Sequence, residues 1–398
     1  MPCISPPFVL LLCLWFAPAE ARVEKRLFAI PDVHGDLDAL QGALRLAGVQ
    51  FENVHTSAGQ AKAKTHVMLP PNSTLVFLGD LVDRGPAGPA CYAQLVELAK
   101  AAARNNSSSH VVRLLGNHEW LNLLGVDRRD NPNTPYVQED LLASYVHPQE
   151  LDELNGWHGR GAAFRPNGSI AEEIQREFRI LALLPAPWHS QTAEQLPPVT
   201  AAATLFLHGG ITASTAHRYA SAAELDAEAR QQLHRWGLHG DSTLLLPGRP
   251  PHGTELFNEL LQERMLAYGP SSTVCPELRS ILAHFGAARL VLGHTPQLGG
   301  NSWGEPQQQR RAGVHCDGRL ILMDVAMSRW LLNMRRPEKS PHPAVLELSY
   351  LENLDAEPGD TTTSGELTGL RVLYGSAASK KHDLLPPFDS TSSAHSDL

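Results

Sequence analysis

Runs of basic residues are missing from this 398-residue chain. Lys and Arg together number 33 against 42 Asp and Glu, for a formal charge of -9. Nucleic-acid binders carry a basic stripe, so the charge balance argues against that class, and no nucleic-acid partner is expected. Cysteine is scarce as well: only Cys91, Cys275 and Cys316 lie beyond the first 21 residues. Three thiols are too few, and of the wrong parity, for a disulfide framework; one bridge is the most they allow. Long apolar runs are also lacking. The longest, Phe8 to Phe16, falls well short of the roughly 20 residues a membrane-spanning helix needs, so no stable membrane anchor is expected. What remains, with 42% hydrophobic residues and mixed charge, is the composition of a globular protein able to bury a sizeable core.

The Phe8–Phe16 run is followed by Ala19-Glu20-Ala21, the small-x-small pattern at which secretory signals are cleaved. Residues 1–21 are therefore expected to be a signal peptide, although no positive charge precedes the run. A plastid transit peptide is the alternative. The chain ends His395-Ser396-Asp397-Leu398, which shares its first and last residues and an acidic third position with the His-Asp-Glu-Leu retrieval signal. Together these imply the secretory pathway, in the endoplasmic reticulum lumen or beyond it. Asn72, Asn105, Asn106 and Asn167 begin tripeptides of the glycosylation pattern, relevant only on that route.

Behind the leader, five short apolar stretches read as buried strands: Arg26 to Ile30, Thr74 to Leu78, His110 to Leu115, Ala203 to Leu207 and Arg289 to Leu292. Between them, Leu37 to Ala47, Ala90 to Ala103 and Pro276 to His284 have helical spacing. Strand and helix alternate, so the fold class is α/β. Val314 to Cys316 and Leu320 to Val325, around Asp317-Gly318, read as a hairpin. The stretch from about 125 to 198, with Arg160, Arg165 and the amphipathic Ile170 to Leu184, reads as a helical insertion over one edge of a site. The catalytic domain is expected over 26–350. From 354 to 398 Gly, Ser, Thr, Asp and Pro accumulate, predicting a loosely ordered tail.

Each candidate strand ends in a short polar motif. In order these are Asp32-Val33-His34-Gly35-Asp36, Gly79-Asp80-Leu81-Val82-Asp83-Arg84-Gly85, Gly116-Asn117-His118-Glu119, His208-Gly209-Gly210 and Gly293-His294-Thr295-Pro296. Alone, any one of them is an ordinary polar loop. Five in order at strand ends are what a shared site in an open α/β sheet requires. Two divalent ions held about 4 Å apart polarise a phosphoryl oxygen, hold a hydroxide for in-line attack and stabilise the leaving oxygen. Asp32, His34 and Asp80 supply ligands for one such ion. Asp80, Asn117, His208 and His294 supply them for the other, with Asp80 between. Carboxylate, amide and imidazole donors suit Mn, Fe or Zn. His118 is placed to protonate the leaving oxygen as a general acid, with Asp83 orienting it. Arg84 offers a planar fork to phosphate oxygens. Asp36 reads as a helix cap or partner to a ligand, and Glu119 as a brace for its loop.

On these motifs the chain resembles a metallophosphoesterase of the phosphoprotein phosphatase family, over about Arg26 to Leu348, with Pro31 where that family's first motif has glycine. Gly293-His294-Thr295-Pro296-Gln297, followed by Asp324-Val325-Ala326-Met327-Ser328, is most similar to the Shewanella-like protein phosphatases, a bacterial-type branch. The Ser-Ala-Pro-Asn-Tyr element of the common eukaryotic serine/threonine phosphatases is absent, so their inhibitor sensitivity is not implied. The resemblance implies a four-layer αββα sandwich and direct hydrolysis of phosphomonoesters on a phosphorylated protein, with phosphotyrosine beside phosphoserine and phosphothreonine as substrates. It also implies a second phosphate-binding arginine upstream of the late histidine, a position held by Arg264, with Arg160 and Arg165 as rivals. A dinucleoside polyphosphate hydrolase on the same scaffold, and a non-catalytic module that only binds phosphorylated partners, are the competing readings.

Overall fold

The computed structural model describes residues 22–54, 64–104, 108–126, 146–154, 156–185, 196–239, 255–298, 310–353, 365–375 and 380–384. The leader 1–21 and the terminal His395–Leu398 lie outside them.

Two sheets share one hydrophobic core. The first contains β1 (Arg22–Ile30), β4 (Ser73–Phe77), β5 (His110–Arg113), β11 (Ala344–Asn353), β12 (Glu366–Tyr374) and β13 (Lys380–Asp383), in the order β13-β12-β11-β1-β4-β5. The second contains β6 (Leu181–Leu184), β7 (Thr204–Leu207), β8 (Arg289–Leu292), β9 (Gly313–His315) and β10 (Leu320–Leu322), in the order β6-β7-β8-β10-β9. A small hairpin, β2 (Gln50–Val54) with β3 (Lys64–Met68), stands apart. Helices Leu37–Leu46 and Gly88–Arg104 pack on the first sheet, and Ala222–His239 and Ser271–Phe285 on the second, giving the helix–sheet–sheet–helix sandwich expected from the sequence.

What matters for the site is direction. β1, β4 and β5 run parallel in one sheet, and β7, β8 and β10 run parallel in the other. Strands buried on both faces read as unbroken apolar runs, and β7 and β8 are buried throughout. The polar residues that interrupt each run therefore fall just past a strand's carboxyl end, where the chain leaves the core. Trp120, on the helix Asn117–Val126, stacks on Phe257 of the helix Glu255–Gln262 with ring centroids 4.6 Å apart, tying the two halves together beside that edge.

Three regions depart from the sequence expectation. Ile170 to Leu184 is a helix, Ser169–Glu177, followed by the edge strand β6, because Leu181-Ala182-Leu183-Leu184 pairs with β7 and its apolar side chains serve a sheet. Pro276 lies within the helix Ser271–Phe285, well past its first turn. The expected loose tail contains β12 and β13, which extend the first sheet beyond residue 350. Leu367, Leu370 and Val372 bury one side of β12 while Glu366 and Thr368 stay exposed, an alternation that averaging over a Gly- and Ser-rich segment conceals. The expected hairpin forms: β9 and β10 pair antiparallel, with Asp317 and Gly318 at positive φ in the turn. Its Cys316 is bonded to Cys275, the one bridge that parity allowed, while Cys91 is a buried free thiol. Among the described residues no helix is long and apolar enough to cross a membrane.

Candidate metal centre

The turns after β1, β4, β5, β7, β8 and β10 converge where the two sheets meet. Close backbone approach makes this possible: a Cβ on Gly116 would sit 2.2 Å from the Asp80 nitrogen, so only glycine lets the loops after β4 and β5 touch. His34, Asp80 and His294 themselves have positive φ, of 47°, 52° and 64°. Non-glycine residues adopt this region at an energetic cost of order 1–3 kcal/mol each, which the surrounding core must hold in place.

The donor atoms of His34, Asp80 and His118 lie within 4.8 Å of one another, and so do those of Asp80, His208 and His294. Asp80 belongs to both groups and divides its carboxylate between them. Oδ2 faces His34 Nε2 at 3.7 Å and His118 Nε2 at 4.0 Å, while Oδ1 is 3.4 Å from His208 Nε2. Asn117 completes the second group, its Oδ1 lying 2.9 Å from both His208 Nε2 and His294 Nδ1. The other ring nitrogens are occupied. His208 Nδ1 donates to the Leu78 carbonyl at 2.7 Å and His294 Nε2 to that of Gln262 at 3.3 Å, which turns the free nitrogen of each inward. Asp32 stands beside Asp80, accepting the His294 amide on both carboxylate oxygens at 3.2 and 3.0 Å.

Electrostatics favour a bound cation. Burial depresses His34 to about 3, His294 to about 2, and His208 below its ordinary value, so the imidazoles are neutral donors. Burial alone would raise Asp80, but His208, His118, His34 and His294 outweigh it and hold the carboxyl below the usual range. Burial raises Asp32 well above its ordinary value, with Asp324 and then Asp80 adding to the push. Asp324, at the end of β10, is likewise raised to about 7 by burial, with Asp80 adding to the push, and its Oδ2 is buried without a hydrogen-bond partner. Three carboxylates packed against neutral imidazoles and an amide oxygen fit a divalent metal ion.

The remaining predicted residues ring this cluster. His118 Nδ1 is 2.8 Å from Asp83 Oδ2. Burial lowers the His118 pKa, but the Asp80 charge and the Asp83 hydrogen bond raise it by more, for a net upward shift. Arg84 is half-buried, and its charge is felt at both His34 and His118. Arg264 reaches the site edge, where Nη1 donates to the His294 carbonyl at 3.2 Å and to Thr295 Oγ1 at 3.3 Å. Its rivals do not fit the same role. Arg165 is exposed, at the end of the helix Gly156–Phe164. Arg160 is 2% exposed and its guanidinium is turned onto Asp83 and Asn122.

Asp36 caps the helix Leu37–Leu46 through the Ala39 amide and receives the fork of Arg329, the structural role expected for it. Glu119 is the brace: its two oxygens gather the amides of Asp80, Leu81, Val82 and Gly116 at 2.7–3.3 Å. Sequence reasoning passed over Asn122, Glu150 and Arg329, whose partners are distant in the chain. Asp324 carried a signal that went unused, since it too follows an apolar strand.

A model described as Calcineurin-like phosphoesterase matches residues 25–298. An uncharacterized protein of Schizosaccharomyces pombe is 26% identical over 312 residues, spanning 78% of this chain and 75% of its own. Shewanella-like protein phosphatase 1 of Plasmodium berghei is 26% identical over 304 residues, 76% of this chain and 67% of that protein. Among solved structures, the cold-active protein-tyrosine phosphatase of a psychrophilic Shewanella species aligns at 17% identity with a TM-score of 0.51, covering 91% of this chain and 80% of that one. This last likeness is one of fold.

Proposed function

Since the chain belongs to the calcineurin-like phosphoesterase family, we propose that it is a protein phosphatase that hydrolyses phosphomonoesters of tyrosine, serine or threonine with two divalent ions. The observation that carries this reading is that Asp80 belongs to both donor groups, while His118, a member of the first, turns its other ring nitrogen onto Asp83. Asp32, His34 and Asp80 would hold one ion, and Asp80, Asn117, His208 and His294 the other. When bound, the ions would polarise the phosphoryl group and acidify the attacking water.

The protein's own residues do the rest. Arg84, whose charge is felt at His34 and His118, and Arg264, whose charge is felt at His208 and His294, orient the phosphoryl oxygens with planar donor arrays. His118 Nε2 points toward the shared carboxylate of Asp80 and so toward the reacting group. From there it protonates the departing oxygen while Nδ1 stays bonded to Asp83. The similar phosphatases support a phosphorylated protein as substrate, and phosphotyrosine is included because the Shewanella enzyme is a protein-tyrosine phosphatase. The reading extends to an oxidising, secretory compartment, which the Cys275–Cys316 bridge supports.

The test is direct. The segment from Arg22 onward, loaded with Mn²⁺, is assayed on matched phosphotyrosine, phosphoserine and phosphothreonine peptides and on a dinucleoside polyphosphate, each with a chelated control. Chelator-sensitive turnover of a peptide, lost in Asp80→Asn and His118→Gln, is expected. Faster turnover of the dinucleotide would replace the protein substrate with a small molecule, and phosphopeptide binding without turnover would leave a recognition module.

A further inference from the structure

None of the insertion's described residues belongs to the donor groups, yet the insertion reaches the acid pair of the site. Asp83 is fully buried and its two oxygens have different partners. Oδ2 accepts from His118 Nδ1 at 2.8 Å and Asn122 Nδ2 at 2.9 Å, while Oδ1 accepts from Arg160 Nη2 at 2.5 Å. Arg160 also ties down the second partner: its Nε and Nη2 donate to Asn122 Oδ1 at 3.1 and 2.8 Å. The remaining Asn122 amide hydrogen returns to the His118 carbonyl at 2.8 Å. Four residues thus form a closed set in which each is held by at least two others, His118 by Asp83 at its ring and by Asn122 at its backbone carbonyl.

Arg160 is itself anchored from behind. Its Nη1 forms an ion pair with Glu150, which is 1% exposed on the helix Pro148–Glu153, and its guanidinium lies over the Phe164 ring at 5.1 Å. Room for Glu150 comes from Gly88, where a Cβ would stand 2.8 Å from Glu150 Oε2. Charges alternate along the series Glu150, Arg160, Asp83, His118. With each of its nitrogens turned onto these neighbours, Arg160 has none to offer a substrate phosphate.

We propose that Arg160 is a positioning residue for proton donation: by gripping Asp83 and Asn122 together it fixes the carboxylate that orients His118. A carboxylate held only by one imidazole can rotate about its Cβ–Cγ bond, and the imidazole follows. Held by a planar fork on its far oxygen, it cannot. The step that depends on this is the last part of the displacement. As the phosphorus–oxygen bond breaks, its electron pair stays on the departing oxygen, which takes the proton from His118 Nε2. The attacking water supplies the new phosphorus–oxygen bond and, through solvent, the proton that restores His118. The proposal rests on the phosphomonoesterase reading, and the experiment separates the two.

A donated proton matters most when the departing group is a poor one. Phenol, with a pKa of about 10 like tyrosine, needs the acid, whereas the far more acidic p-nitrophenol scarcely does. The Mn²⁺-loaded protein is therefore compared with Arg160→Lys and with Arg160→Met/Glu150→Gln on phenyl phosphate and p-nitrophenyl phosphate. The lysine variant keeps the buried charge but loses the fork, and the double variant leaves no lone buried carboxylate at position 150. For both, kcat on phenyl phosphate is expected to fall about thirtyfold or more and kcat on p-nitrophenyl phosphate about threefold, with KM little changed, a fraction of the 10²–10⁴ that general-acid catalysis supplies. Adding Arg160→Lys to His118→Gln should cost nothing further on phenyl phosphate. Equal losses on the two esters, or additive losses with His118→Gln, would make Arg160 a purely structural residue and overturn the proposal. Failure of the unmodified protein on both esters would instead strike the phosphomonoesterase reading itself.

Discussion

The guanidinium of Arg264 is hydrogen-bonded to the backbone carbonyl of His294, thirty residues further along the chain, at 3.2 Å. An arginine that begins the short helix Met265–Tyr268 is thereby held over a histidine of the donor cluster. Nη1 is engaged with both His294 and Thr295, which fixes the guanidinium plane; in the proposed function its other edge meets the substrate phosphate.

Arg264→Ala should lower kcat/KM for a phosphopeptide about 10- to 100-fold, the worth of one charge-assisted interaction of about 1.5–3 kcal/mol. Metal content measured on the purified variant should stay at the level of the unmodified protein. Loss of the metal together with activity would show that Arg264 serves the His294 loop alone.

Glu119 bears on the metals through backbone. Glu119→Gln would set an NH₂ against amides that now donate to a carboxylate, displacing Asp80. Metal affinity, read by calorimetric titration, should drop about 10- to 100-fold, as for other residues that orient ligands. An unchanged affinity would mean that the loop after β4 holds its shape without the brace.

The Cys275–Cys316 bridge closes a loop of 41 residues and joins the helix Ser271–Phe285 to the end of β9. Loop-closure entropy for that length corresponds to about 4 kcal/mol in the chain-entropy account. The Cys275→Ser/Cys316→Ser pair should unfold at lower urea, by about 2–4 kcal/mol, and reductant should have no further effect on it. No shift would place the stabilisation elsewhere.

His315 gives the stability a pH dependence. Burial holds its imidazole down to about 4 against an ordinary value of 6.5, so the unfolded chain takes up a proton in this window and the native one does not. Its stabilising contribution is complete above pH 6.5 and is lost as pH falls toward 4. Integrated over the window the loss is about 3 kcal/mol at most. Urea midpoints of the chelated protein at pH 7 and pH 5 should therefore differ less in His315→Gln than in the parent, and an equal difference would assign the acid sensitivity to other groups.

The sequence showed the donor set because burial wrote it there. Asp32, Asp80, Asn117, His208 and His294 each follow a strand whose apolar run is conspicuous, and a charged or amide group at that point has few purely structural uses. Arg160 was misread because its partners, Glu150, Asp83 and Asn122, are scattered over three elements, and no local pattern reveals that an arginine faces inward. β12 was missed for the opposite reason: its alternation is local, but nine residues were averaged into a segment rich in Gly and Ser. Asp324 lay in plain view after β10 and was noted only as part of a resemblance.

Asp32 and His294 touch although 262 positions separate them in the chain. Contacts of that span are the slowest to form, since the intervening chain must be ordered before they close. During synthesis the donor atoms come together only after most of the polypeptide has emerged and both sheets have docked. Partly made chains therefore contain separate fragments of a binding site and cannot capture an ion in the final geometry. On the proposed function, metal loading therefore requires both sheets to have docked first.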